Sequence, residues 1–564
     1  MTLSQPRATV TADATVRRHG GHVVAQVLEE HGITEIFGQD SPELLFAVLD
    51  HSRFRVTTMR DERSAGFAAD AVARLTGRPA VATGIHGPGA LNLTTALFEA
   101  REASSPVIAL ISGIETTTKG TGAFQEADHV AAARPLVKWA ARVERPDRVR
   151  STLERAIRVA TSGRPGPVLV ELPNDVLTVE QPAEEYAAPP VTLTATPADA
   201  RVVTELSGAT APVLLLGSGA LQTACEDLVA LAERLDAAVC VTHTGRGAFP
   251  ERHHLFAGVC GFMSDREDGS GAVANAMLAA ADVVLALGTG MDGVTTDGGR
   301  LPAARATLVR VDVDAGTLAL DTRAAHTVLA DITSYVPALT AALPGASVRG
   351  TREALARKWA VVRDAQRDRI AAGSPVIRPS FLMGALQQAL RPDDLLVCDA
   401  AYSSVWALSY LTQGEHFHRI TYGRAAGTLG FGFPGAIGAS VAYPDRRVVA
   451  LVGDGGFGFT WGELETAARI GANITCVVLN NSMFAYQVLW HELNGTHARN
   501  LEFVDVHHDV LASAVGGHGV RVESRDALLP VLRTSLDHDG LSVVDVVLDP
   551  HELPPFRKER HVGH

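Results

Sequence analysis

An aspartate and an asparagine 27 positions apart, Asp454 and Asn481, carry the clearest chemical signal in this chain. Residues 448–484 read VVALVGDGGFGFTWGELETAARIGANITCVVLNNSMF. VVALVGD predicts a buried strand. WGELETAARIG predicts a helix whose Leu464, Ala467, Ala468 and Ile470 face a sheet, and ITCVVLNN a second strand. In such a βαβ unit both polar ends fall at the carboxyl edge of neighbouring parallel strands, where open α/β sheets bind ligands. A carboxylate and an amide oxygen there, completed by a backbone carbonyl and phosphate oxygens, satisfy the octahedral all-oxygen preference of magnesium. Gly455 and Gly456 let backbone N–H groups approach a diphosphate with no Cβ in the way. GDGG alone would be a turn. The full strand–GDGG–helix–strand–Asn-Asn spacing reads as a metal–diphosphate site.

The elements that position this unit repeat along the chain. Short β-branched runs alternate with Ala/Leu-rich amphipathic stretches from end to end, the pattern of parallel α/β layers. Three doubly wound parallel-sheet domains are expected, at 18–182, 199–345 and 376–550. A Pro/Thr/Ala-rich linker lies near 182–198, and a charged helix, TREALARKWAVVRDAQRDRIAAG, leads into the third block. The first and third blocks share size and βα rhythm without a visible sequence repeat. A length of 564 residues suits several domains, and 46% hydrophobic with 20% charged residues suits ordinary globular cores. The net charge of −13 opposes a nucleic-acid or anionic-membrane partner. The short basic tail Arg557, Lys558, Arg560 reads as a solvated terminus. Five scattered cysteines form no CxxC pair, no export signal or membrane span is visible, and a cytoplasmic location is expected.

The motif around Asp454 resembles the signature of thiamine-diphosphate enzymes of the acetohydroxyacid (acetolactate) synthase, pyruvate oxidase, benzaldehyde lyase and 2-hydroxyacyl-CoA lyase group. The resemblance implies thiamine diphosphate and Mg2+ as cofactors. It also implies a pyrimidine-binding first domain, a central Rossmann-like domain and a diphosphate-binding third domain. Asp454 and Asn481 would then ligate the metal through side chains and Met483 through its carbonyl. CDAAYSSVW (398–406) is similar to the strand end that holds the diphosphate from the other side, with Tyr402 and Ser403 as candidates. Thiamine chemistry removes the thiazolium C2 proton through the cofactor's own aminopyrimidine, once a carboxyl group drives it to the imino tautomer. A glutamate kept protonated in an apolar pocket suits that task. In TTMRDERSAGFAADAVARLTGRPAV (57–81), Glu62 takes the relatives' place for it, with Asp61 where they usually carry His. GTLGFGFPGAIGA (427–439) resembles the turn that bends the cofactor, with Leu429 as the wedge and the Gly427 carbonyl facing the 4′-amino group. In the resembling enzymes the glutamate and the metal site come from different subunits, so a homodimer or homotetramer is implied.

The substrate side is less uniform. HGPGALNL (86–93) matches a turn bordering the active site, and GAFQEADHVAAARPLVKWA (122–140) resembles acetohydroxyacid synthase. Gln125 would reach the reacting centre and Lys138 would steer an anion. Three stretches depart from the pattern. FGQDSPELL (37–45) puts Gln39 or Asp40 towards the substrate. LALGTGMDGVTTDGG (285–299) has Val294 near an expected arginine, which removes an anionic clamp and argues against bound FAD. LWHELNG (489–495) makes Trp490 a lid residue and His491 or Glu492 an acid–base group. GSGA (217–220) is no complete GxGxxG, weak evidence for a dinucleotide. The implied reaction is decarboxylation and carboligation of a 2-oxo acid through a C2 ylide and an enamine carbanion. A flavin-free 2-hydroxyacyl(-CoA) lyase is the alternative. A cofactor-binding scaffold without activity is opposed by the presence of Glu62, Asp454 and Asn481.

Overall fold

The computed structural model describes residues 18–180, 194–320, 323–345, 348–412 and 420–556. Most of the expected linker and the basic tail lie outside these residues. The described chain forms three six-stranded sheets whose ladders are all parallel. In the first, the spatial order is Arg55–Thr58, Glu35–Gly38, Ala80–Gly84, Val107–Gly113, Val168–Pro173, Trp139–Arg142. In the third it is Ile420–Tyr422, Leu395–Cys398, Val448–Gly453, Ile474–Asn480, Leu541–Val547, His518–Val522. Counted along the chain these are one topology used twice, which is why the two blocks share a rhythm without sharing residues. The second sheet runs His326–Leu329, Thr307–Asp312, Val283–Leu287, Pro212–Leu216, Ala238–Val241, Phe256–Val259.

The central strands VIALISG, VLVELP and ITCVVLN are buried at every position. Apolar residues on both faces of a strand require helices on both sides of the sheet, as parallel sheets have. Each sheet changes its direction of growth beside its first strand: between Glu35–Gly38 and Ala80–Gly84, between Pro212–Leu216 and Val283–Leu287, and between Leu395–Cys398 and Val448–Gly453. Loops leaving those paired strands diverge and open a crevice at the carboxyl edge. Asp399 and Asp454 follow the two strands of the third such place directly.

The third domain joins the other two. Its helix Gly432–Ala442 lies against the helix Glu62–Thr76 of the first domain, and Phe67, Ala68 and Ala71 share one buried cluster with Phe431, Ala436 and Ile437. Asp61 caps the first-domain helix by accepting the N–H groups of Arg63 (2.8 Å) and Ser64 (3.3 Å). Glu463 of the third domain accepts from the Arg60 and Asp61 amides at 3.1 Å each. A second cluster joins Leu214, Phe249 and Val239 of the central domain to Trp406 and Leu411 of the third. The expected charged helix spans Thr351–Ala371, and Arg369 near its end pairs with Asp268 and Glu552. Among the described residues no helix is long and apolar enough to cross a membrane.

The contact between the helices Glu62–Thr76 and Gly432–Ala442 depends on small residues. A Cβ at Gly438 would stand 2.2 Å from the Ala68 carbonyl oxygen, so only glycine permits this approach. We expect Gly438→Ala to destabilise the protein by about 1–3 kcal/mol, the usual cost of overpacking. Thermal and urea melts check this, and unchanged stability would show that the helix pair can slide apart freely.

Candidate active site

A cavity of about 350 Å³ opens where the third sheet reverses direction. Its floor is organised by Asp399, which is fully buried. The carboxylate accepts the N–H groups of Ala400 (2.8 Å), Gly430 (3.0 Å) and Phe431 (3.2 Å). Burial pushes this carboxyl up to about 6, against the opposing pull of those amides. Gly456 passes so close that a Cβ there would lie 2.2 Å from Asp399 Oδ2. One side chain therefore gathers the end of strand Leu395–Cys398, the loop before helix Gly432–Ala442 and the GDGG turn. Sequence reading missed Asp399; the available signal was an acid placed immediately after a buried strand.

The cavity brings together Tyr402, Ser403, Gly427, Leu429, Asp454, Gly455, Gly456, Asn481 and Met483. Asp454 Oδ1 accepts the Gly455 N–H at 2.8 Å, while Oδ2 is buried with no partner. Desolvation pushes the Asp454 carboxyl up to about 6. The neighbouring asparagines divide their work. Asn480 Nδ2 donates to Asp545 (2.9 Å) and to the Val506 carbonyl (3.2 Å), leaving Asn481 at the cavity. The Met483 carbonyl accepts the Ala485 N–H at 3.0 Å and keeps a second lone pair. The loop is pinned by Phe484 N–H to the Leu501 carbonyl (2.9 Å) and Phe503 N–H to the Ser482 carbonyl (2.7 Å).

Across the cavity, helix Tyr402–Tyr410 begins after Ala401, held at φ 61° with no side-chain cap on the first turn. The Ser403 hydroxyl donates to the Ala400 carbonyl at 3.0 Å, so this segment offers an anion its backbone N–H groups more than its hydroxyl. Tyr402 has a buried hydroxyl without a partner, and its ring meets Tyr486 edge-on at 5.7 Å.

The remaining candidates lie elsewhere. Glu62 is buried at the start of its helix, where Asn92 Nδ2 donates to Oε2 at 3.0 Å and a Cβ at Gly89 would stand 2.7 Å from Oε1. Gln125, at φ 62°, packs against Gly87 on the same carboxyl edge of the first sheet. Neither lines the Asp454 cavity of its own chain. His129, missed in the sequence, holds this edge by accepting the Gly87 N–H at 2.7 Å. Gln39 gives its carbonyl to Thr83, and Asp40 is exposed. Lys138 is spent on the Val159 and Ser162 carbonyls at the end of helix Val149–Thr161, which corrects its expected steering role. Trp490 and Glu492 sit exposed on helix Ala485–Leu493, outside the cavity lining, with His491 bonded to Thr496. Val294 packs beside a small apolar cluster with Val405 and Leu489.

Comparison with known proteins decides the family. The description "Thiamine pyrophosphate enzyme, N-terminal TPP binding domain" matches residues 18–132, the central domain of the same enzymes matches 200–339, and the C-terminal TPP binding domain matches 399–546. Over 91% of its length the chain is 31% identical to an acetolactate synthase of Mycobacterium bovis, covering 85% of that protein. It is 30% identical to the acetolactate synthase large subunit of Parasynechococcus marenigrum, covering 97% of this chain and 90% of that one. A probable acetolactate synthase large subunit of Methanocaldococcus jannaschii is 28% identical over 95% and 93% of the two chains. The chain belongs to the thiamine-pyrophosphate enzyme family. It is a thiamine-diphosphate-dependent enzyme of the acetolactate synthase type.

The donors present fit such a cofactor. The orphaned Asp454 oxygen suits a divalent cation, and the uncapped first turn at Tyr402 with the open flank of Gly453 suits a diphosphate. A larger cavity of about 590 Å³ lies where the second sheet reverses, between Gly219, Gly288 and Asp312 of the central domain and Arg164 of the first.

Because Gly456 is pressed against Asp399, Gly456→Ala must break the bonds of that carboxylate to Gly430 and Phe431. We expect thiamine diphosphate affinity to fall about tenfold or more, equivalent to at least about 1.4 kcal/mol. Calorimetry with magnesium checks it, and wild-type affinity would mean that the turn shifts without consequence.

Proposed function

We propose that the protein is a magnesium- and thiamine-diphosphate-dependent decarboxylase/carboligase of 2-oxo acids. The observation that carries this reading is the convergence of Asp454, Asn481 and Met483 with the open helix turn at Tyr402 and the Gly427–Leu429 loop in one cavity. When bound, the cofactor supplies a nucleophilic carbon and an electron sink beside a carbonyl. Asp454, Asn481 and the Met483 carbonyl hold the cation. The backbone at Tyr402, Ser403, Gly455 and Gly456 would hold the diphosphate, Leu429 would pack against the cofactor's rings as a wedge, and the Gly427 carbonyl would orient the amino group. Glu62 of the partner subunit would serve as the carboxyl group facing the pyrimidine, and Gln125 of the partner subunit would orient the substrate carbonyl.

Supply from a second copy is supported by the position of Glu62 outside its own chain's cavity. It is also supported by large apolar side chains exposed on both edges: Leu91, Phe98 and Phe124 on the first domain, Phe459, Trp461 and Val504 beside Asp454. A homodimer is the minimum assembly that follows, and a homotetramer would pair two of them. Carboligation is favoured over the lyase alternative because Glu492, the proton donor that a lyase would use, is exposed and outside the cavity. The free cysteines, four of them buried, suit a reducing compartment, and we place the protein in the cytoplasm. The direct test is a panel of 2-oxo acids and 2-hydroxyacyl-CoAs, with and without aldehyde acceptors, read by mass spectrometry. Cleavage of the CoA substrates alone would replace the carboligase with the lyase.

Glu62→Gln should retain cofactor but lose about 10²-fold or more in turnover, as expected when an acid–base group is removed. Asp454→Ala should fail to retain the magnesium-bound cofactor. If the two residues serve one site from two subunits, mixed dimers of these variants contain one intact site each. Activity should then recover to roughly a quarter of wild type on random mixing. Absence of recovery in verified mixed dimers would place both residues in a site formed by one chain.

With Val294 packed in an apolar cluster, we also propose that FAD is not bound. The purified protein should be colourless, and flavin absorbance bands would overturn this.

A further inference from the structure

Among the described residues that line the Asp454 cavity, Arg424 is the only Lys, Arg or His. It stands in the loop between strand Ile420–Tyr422 and helix Gly432–Ala442. Its Nη1 donates to the Ala401 carbonyl at 3.1 Å and lies 3.4 Å from Ser404 Oγ. Nε is buried with no acceptor, and Nη2 has none among the described residues. Among the described residues no carboxylate pairs with it. Asp399 is spent on backbone amides, and Glu552 on Arg369, Arg378 and Ser380. Glu99, whose charge reaches Arg424, is bonded to Arg74 and to the amides of Ala425 and Ala426. Burial pushes the guanidinium down to about 10, although it still carries its charge near neutrality. A desolvated cation costs stability unless an anion meets it, and a guanidinium is shaped to hold a planar or tetrahedral oxyanion through two donors at once.

We propose that Arg424 is an oxyanion-binding residue of the active cavity, pairing with either a diphosphate oxygen of the cofactor or the carboxylate of a 2-oxo acid. This rests on the function proposed above and adds to it the cation that selects for negative charge. Its location favours such a role over a purely structural one. The bonds of Nη1 hold it over the first turn of helix Tyr402–Tyr410, while its remaining donors stay uncommitted.

The test compares wild type, Arg424→Lys and Arg424→Gln. Calorimetry with magnesium pyrophosphate reads the diphosphate. Titration of the thiamine-diphosphate-saturated protein with pyruvate and with its uncharged methyl ester reads the carboxylate. Arg424→Gln should lose about tenfold or more in one of these arms, and Arg424→Lys should lose less. The arm that falls identifies the oxyanion. The ligand-free melting temperature separates binding from structure. Arg424→Gln should leave it unchanged or raise it, because a half-buried charge with no carboxylate partner among the described residues is removed. The proposal is overturned if pyrophosphate affinity is unchanged and pyruvate has no Arg424-dependent advantage over its ester. It is equally overturned if the ligand-free protein loses stability in proportion to the loss of binding. Failure of wild type to bind thiamine diphosphate in the same calorimetry would sink the functional reading instead, while the pyrophosphate arm would still judge Arg424.

Discussion

The active cavity depends on one buried carboxylate accepting backbone N–H groups from segments distant in sequence. Asp399 ends a strand, yet it bonds to Gly430 and Phe431 about thirty residues on and leaves Gly456 no room for a side chain. An acceptor without competing water is strong, and a buried carboxylate left without its donors would be costly. The three loops are thus fixed relative to each other before any ligand arrives, which is the preorganisation that cofactor chemistry requires. The glycines at 432 and 456 follow from this constraint, since each lets backbone approach the same oxygens or the strand end that carries them, while Gly430 supplies the positive φ of 89° that turns its N–H onto the carboxylate.

A second buried network extends that order to the first domain. Glu99, fully buried in helix Pro88–Glu102, accepts from Arg74 Nη2 (3.1 Å), from the Ala425 and Ala426 amides (2.9 Å each) and from the Thr428 hydroxyl (2.8 Å). Arg74 also donates to the Tyr422 carbonyl at 2.6 Å and lies over the Phe431 ring. The loop carrying Gly427 and Leu429 is therefore shaped by side chains of another domain. In return Glu463 of the third domain holds the backbone in front of Glu62. Each domain thus holds backbone of the other beside its candidate site residues, so neither arrangement is a property of one domain alone.

Local patterns were legible in the sequence, and cross-domain ones were not. Strand–GDGG–helix–strand–Asn-Asn announces itself because βαβ geometry is local: the spacing alone puts Asp454 and Asn481 on one edge. The similarity of the first and third sheets was visible as rhythm, since topology follows the order of elements. Asp399 escaped notice because its partners are backbone amides, which carry no residue-type signal, and Glu99 because its partners are amides and side chains far away in sequence. Arg424 escaped because a lone arginine after a strand reads as an exposed loop cation. Lys138 was misjudged for the converse reason: an apparent anion-steering lysine ends on carbonyls at the close of a helix, where cations are welcome.

Two of the carboxylates lining this cavity, Asp399 and Asp454, are each pushed up to about 6 by burial. A raised folded value means that the native state holds its proton more tightly than the unfolded chain. The penalty for ionising them is therefore absent below about pH 4, grows between about pH 4 and 6, and persists above. The two are not equivalent under that penalty. Asp399 is met by amides that stay in place at every pH, so its ionised form is supported by the fold itself. Asp454 keeps a buried oxygen with no hydrogen-bond partner among the described residues, and the pull of the Ser482 and Asn481 amides and of His508 does not fully relieve it. A divalent cation would, and its binding energy would then contribute directly to native stability, as with other metal sites whose ligands are gathered by folding. The fold thus fixes the cavity floor through Asp399. The part of the burial penalty left at Asp454 is one that a bound cation would offset.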